Sequence, residues 1–122
     1  MKKIALFLLI IFYIIAGINH FWHAKFYYPI IPPYFQPWAY QLNFIVGLAE
    51  ISLAVMMAFA FSRKLAAIGI IVMLVAFIPT HIYFIQIGSC VPNSLCVPAW
   101  IGWARLLIIH PILIAWAWWC RQ

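Results

Sequence analysis

Acidic side chains are nearly absent from this chain. Glu50 is the single one among 122 residues, and charged residues of both signs reach only 7% of the total. A soluble domain carries about 25%, so a core wrapped in a solvated surface is excluded. Several function classes lack their marks as well. There is no glycine-rich phosphate loop, dinucleotide fingerprint, Ser-His-Asp set or metalloprotease motif. His20 and His23 have a spacing that could ligate a metal, but no carboxylate or third ligand stands near them, so no metal site is expected. Heptads, internal repeats and low-complexity tracts are also missing.

What the chain has is apolar surface: 70% hydrophobic and 19% aromatic residues. Four apolar segments, about 4–22, 39–61, 65–87 and 99–119, each match the ~20 residues that cross a ~30 Å hydrocarbon layer. The expected fold is an all-α integral membrane protein, one domain over 1–122, forming an antiparallel bundle of four transmembrane helices. The basic turn "SRK" at 62–64 is short, so the second and third spans should form a hairpin.

The net charge of +6 could suggest nucleic acid in a soluble protein, but here the basic residues flank the spans and point to the lipid bilayer instead. Lys2, Lys3, Arg63, Lys64 and Arg121 fall on one side, Lys25 on the other, and Arg105 inside a span. Both termini are therefore expected in the cytoplasm, in a bacterial-type inner (plasma) membrane. The start "MKKIALFLLIIFYIIAG" has the basic head and apolar body of a signal peptide. It lacks a small-x-small cleavage site and its apolar run continues to Phe21 and Trp22, so it is expected to stay as the first span.

Two connections carry information. The segment "HFWHAKFYYPIIPPYFQPW" (20–38) combines four prolines with many aromatic residues. Proline stops a helix, and Trp and Tyr favour the headgroup region, so this segment should cap the outer end of the bundle between the first two spans. The loop "GSCVPNSLCVP" holds Cys90 and Cys96 on the expected outer, oxidising side, which predicts a structural disulfide. A redox-active dithiol is the alternative, with C-x5-C rather than C-x-x-C spacing. Cys120, at the cytoplasmic end, is expected to be a free thiol.

The polar residues inside the spans are the candidate site. A carboxylate near a bilayer centre costs roughly 2.5–3.5 kcal/mol, so Glu50 needs a partner. Helix rise puts Glu50 and His110 at similar depth, about 16 Å from the outer end of their spans, with His81 and Arg105 about 9 Å deep. Asn19 and His20 close the outer end of the first span. In the second span Asn43, Gly47, Glu50 and Ala54 form a small and polar stripe that should face other helices. Arg105 is the expected partner of Glu50, with His81 and His20 completing a network. His110 lies about 140° around the helix from Arg105, which leaves open whether the two share a cavity. The expected ligand pocket opens outward, with Phe77, Phe84 and Trp103 as walls. A polar clasp that only holds the helices in register is the competing reading.

The motifs "AGINHF" (16–21), "PP" (32–33), "GLAEISLA" (47–54), "SRKLAA" (62–67), "PTHIYF" (79–84) and "WARLLIIHPILIAWAWW" (103–119) together resemble the DoxX family of small four-span membrane proteins. The resemblance implies a four-helix bundle linked to membrane redox chemistry, where such proteins serve as small subunits of oxidoreductase complexes. It carries Asn19, His20, Glu50, His81 and Arg105 as polar marks. The expected function is a redox-associated membrane subunit, enzymatic or accessory, binding a quinone or similar apolar ligand. The alternatives are a non-catalytic assembly subunit and a small transporter or lipid-binding protein.

Overall fold

The computed structural model describes residues 1–91 and 96–122. The Pro/Asn/Ser-containing part of the cysteine loop, 92–95, lies outside the described residues.

Among the described residues, four helices are long and apolar enough to cross a membrane: Lys2–Trp22, Pro33–Ala58, Ala60–Gln86 and Ala99–Trp119. The first is a continuous helix, α1 (Lys2–Trp22). A short α2 (Ala24–Tyr27) and 3-10 turns over Tyr28–Ile30 and Pro33–Trp38 follow, and the latter runs into α3 (Ala39–Ala58). The third comprises α4 (Ala60–Ala76) and α5 (Ile78–Gln86). The fourth comprises α6 (Ala99–Ala104), a wide π turn over Arg105–Ile109, and α7 (His110–Trp119).

Proline chemistry explains the interruptions. Pro79 has no N–H to continue the ladder, and the chain breaks at Phe77 just before it. Pro33 and Pro37 favour the tighter 3-10 turns at the head of the second span. That head makes the second span 26 residues long against 21 for the first.

The turn between α3 and α4 differs from the expected "SRK" connection. Phe59 alone is extended there, and Ser62 and Arg63 lie in the first turn of α4. Their side chains reach back to the end of α3. Ser62 Oγ donates to the Met56 carbonyl at 2.7 Å and Arg63 Nε to the Met57 carbonyl at 2.8 Å. A cation at a helix C-terminus satisfies orphan carbonyls and complements the dipole, so the polar residues cap the hairpin from inside the helix.

The helices pack in chain order, α1 on α3, α3 on α4 and α4 on α7. Trp116 Nε1 of α7 donates to the Ala5 carbonyl of α1 at 3.0 Å and closes the ring. Gly17 and Gly47 let α1 and α3 approach closely. A methyl group on Gly17 would lie 2.8 Å from the Gly47 carbonyl oxygen, and one on Gly47 would lie 2.9 Å from His20 Cβ. Close backbone approach through small residues is how apolar helices gain dispersion contacts without a hydrophobic drive.

The two ends of the bundle are unlike. Around the termini and the α3–α4 turn, Leu9, Met57, Ala66, Ile70, Ala117 and Cys120 form a solid, fully buried core. Towards the other end the helices part around a cavity. The outward faces carry large exposed apolar side chains such as Phe7, Leu65, Val72 and Leu107.

Candidate functional site

The cavity has a volume of about 550 Å³ and lies between all four spans. Its wall is mostly apolar, with Phe12, Val46, Leu74, Phe77, Ile109 and Leu113 among the lining residues. The segment expected to cap the bundle supplies Tyr27, Ile30, Ile31, Pro32 and Phe35 as its roof. Into this apolar space the fold brings His20, Asn43, Glu50, His81, Arg105 and His110.

The base of the site is built by α1 and α3. Asn43 Nδ2 donates to the His20 backbone carbonyl at 2.8 Å, which fixes the Asn43 amide with Oδ1 as acceptor. His20 Nδ1 lies 2.7 Å from that Oδ1, so Nδ1 carries a hydrogen and donates it. The other ring nitrogen, Nε2, is 3.4 Å from Glu50 Oε2. That approach is ion-pair distance without a hydrogen bond, and it sets the free edge of the imidazole against the carboxyl group. Both side chains are buried, and Glu50 Oε2 makes no hydrogen bond.

His20, not Arg105, is thus the partner of Glu50. The extra turns of the second span account for the difference. They extend past the end of α1, so His20 sits level with Asn43 and Gly47 instead of at the bundle's rim. Arg105 lines another wall. Its guanidinium carbon is 5.5 Å from the centroid of the Phe84 ring, and among the described residues it has no ion-pair or hydrogen-bond partner.

The π turn settles the position of His110. Its N–H bonds the Arg105 carbonyl, five residues back. That widened turn carries residues five apart onto one side, where an α-helix would separate them by about 140°. Pro111, lacking a backbone donor, leaves the preceding turn free to widen. His110 and His81 then meet edge to face, with ring centroids 4.8 Å apart. His110 Nε2 donates to the Leu74 carbonyl, leaving Nδ1 as an acceptor.

A polar chain continues towards the roof. His23 Nδ1 donates to Asn19 Oδ1 at 2.6 Å, and Asn19 Nδ2 to the Tyr27 hydroxyl at 2.6 Å. The Tyr27 ring stacks on His20 at 3.9 Å. Burial holds the Tyr27 phenol above its ordinary range, so it keeps its proton and can donate it. Asn19 therefore acts through Tyr27.

The remaining expectations divide. Phe77 lines the cavity, whereas Phe84 is buried with Ile30 and Val91 beneath the cysteine loop and touches the site through Arg105. Trp103 is half exposed on the outer face and is no wall. Cys90 and Cys96 lie at disulfide distance, 2.07 Å between sulfurs. Among the described residues no group of three or more His, Cys, Asp or Glu could hold a metal. Tyr13, whose buried hydroxyl has no partner, lines the cavity and was not among the expected residues. The signal was there, since Tyr13 precedes Gly17 and His20 at helical spacing.

Comparison with known proteins places the chain. The model of a family described as Domain of unknown function (DUF8561) matches residues 9–121. The chain belongs to the DUF8561 family. The match includes every cavity residue named above, and the family description assigns no activity to them. No curated protein and no solved structure matches the chain.

Proposed function

We propose that this protein is a plasma-membrane component of an oxidoreductase system that holds a quinone-like apolar ligand in its cavity. The observation that carries the proposal is the apolar cavity whose few polar groups are chemically distinct. Arg105 is donor-only, His81 and His110 have free ring nitrogens, and Glu50 faces His20 at ion-pair distance. An apolar slot with a small number of placed polar groups is the usual form of a ligand site. Ionisable groups within membrane spans are expensive and therefore mark function more often than packing.

Four apolar spans, an apolar outer surface and basic residues grouped at the termini and the α3–α4 turn support a transmembrane placement with both termini in the cytoplasm. The roofed end of the cavity and the cysteine pair then face outward. The resemblance to the DoxX family is the ground for the redox assignment. An assembly subunit without a ligand is the second reading, favoured by the two hydrogen bonds that tie Asn43 to His20 across α1 and α3.

Mass spectrometry of small molecules that co-purify with the protein separates the two. A stoichiometric quinone supports the proposal. Purification from a quinone-producing membrane with an empty cavity, combined with no binding of added quinone, refutes it.

A further inference from the structure

We infer that the tail of a quinone-type ligand leaves the cavity sideways into the lipid, through a seam between the first and fourth spans bordered by Phe12 and Ile109. The inference rests on the proposed quinone-type reading and adds the route by which such a ligand enters.

Size sets the requirement. A volume of about 550 Å³ falls within the ~300–1,000 Å³ that encloses a drug-sized molecule. A ring fits such a space and a long isoprenoid tail does not, so the tail needs an apolar way out. The roof is a poor exit, since Ile30 and Pro32 are buried there and its aromatic, proline-rich composition suits the headgroup region.

Packing leaves one side of the roofed half open. There α1 packs on α3, and α5 packs on α6 and the π turn, as two separate pairs. The 3-10 turn Tyr28–Ile30 packs on both α3 and α5 and joins the pairs between the second and third spans. Ala76 and Pro79 of the third span line the cavity and are exposed, but they belong to the side that this turn closes. Among the described residues no roof element packs on α6 or the π turn, and α1 meets the fourth span through α7. That meeting is the floor of the seam, where Trp116 Nε1 donates to the Ala5 carbonyl and the Trp116 ring lies 6.3 Å from the Phe12 ring. Phe12 and Ile109 both line the cavity and are 42% and 49% exposed, so inner wall and outer surface share these side chains.

Depth fits the same route. Lys2 opens α1, so Phe12 lies ten residues on, about 15 Å along the axis and near the middle of a ~30 Å hydrocarbon layer. A tail leaving there meets acyl chains and crosses neither headgroups nor water.

The test uses the full chain in lipid nanodiscs and a benzoquinone with a long isoprenoid tail that carries a diazirine close to the ring. Irradiation should label Phe12, Ile109 or their immediate neighbours. Ile109→Trp narrows the seam and should weaken the long-tailed quinone about tenfold more than the tail-less ring. Val72→Trp, on an outward face of the third span, should shift neither. The labelling uses the unaltered protein and does not depend on the folding of a variant. Tail labels around Phe35 in the roof or around Leu42 between the second and third spans overturn the inference while leaving the cavity a quinone site. Equal weakening of the two ligands by a folded Ile109→Trp does the same. Binding of neither ligand by the unaltered protein overturns the proposed function itself and the inference with it.

Discussion

Replacing His20 by phenylalanine should destabilise the bundle more than replacing Glu50 by glutamine, although Glu50 is the formal anion. His20→Phe removes the donor to Asn43 Oδ1 and the imidazole that faces Glu50 Oε2 at 3.4 Å together. Breaking a dry buried pair costs about 3–5 kcal/mol. Here the pair borders a cavity and the carboxyl can take up a proton, so about 1–3 kcal/mol is the expected loss. Glu50→Gln keeps the volume and offers an N–H to a neutral His20 Nε2, so its cost should stay within about 0.5 kcal/mol. In a double-mutant cycle the His20 and Glu50 changes should couple by about 0.5–3 kcal/mol, whereas Glu50 and Arg105 should be additive within about 0.5 kcal/mol. Reversible unfolding in mixed micelles, following helix content, measures all of these. Equal losses for His20→Phe and Glu50→Gln, or coupling confined to Arg105, would refute the assigned pairing.

Gly47→Ala should cost about 1–3 kcal/mol by overpacking the α1–α3 contact, because the added methyl meets His20 Cβ at 2.9 Å and Phe21 Cζ at 3.0 Å; unchanged unfolding would show that the two helices are looser than described. Cys120 is a buried free thiol whose pKa burial raises, opposed by Lys2 and Arg63. Alkylation of the folded protein near pH 8 should be far slower than of the unfolded chain. Stability should fall as pH rises above the ordinary thiol range, because the unfolded chain loses that proton first. Rapid labelling without unfolding would contradict the burial. Single cysteines introduced at Gln36 and Lys64 should label from opposite faces of sealed vesicles, and labelling of both from one face would sink the proposed topology.

The four apolar segments were legible because each run approaches the length needed to cross a bilayer and their polar residues recur at helical spacing. Asn43, Gly47, Glu50 and Ala54 read as one inward stripe, and all four are buried. The partner of Glu50 was not legible. A depth scale counts rise along each span separately, and it cannot see that the proline-led head of the second span extends past α1 and brings His20 level with Gly47. The shared wall of Arg105 and His110 was hidden for another reason. A wheel of 3.6 residues per turn has no place for a π turn, although Pro111 marks where the ladder is weakened. The boundary at "SRK" moved because polarity alone reads as a loop, whereas Ser62 and Arg63 spend theirs on the carbonyls that end α3.

Photoaffinity labelling with an azido-quinone in nanodiscs tests most directly whether the cavity is a ligand site. The account predicts labelled residues from every wall of the cavity, in the neighbourhoods of Tyr13, Phe35, Phe77 and Leu113, with protection by excess unlabelled quinone. Labels confined to outward-facing residues such as Phe7, Val72 and Leu107, without protection, would contradict it.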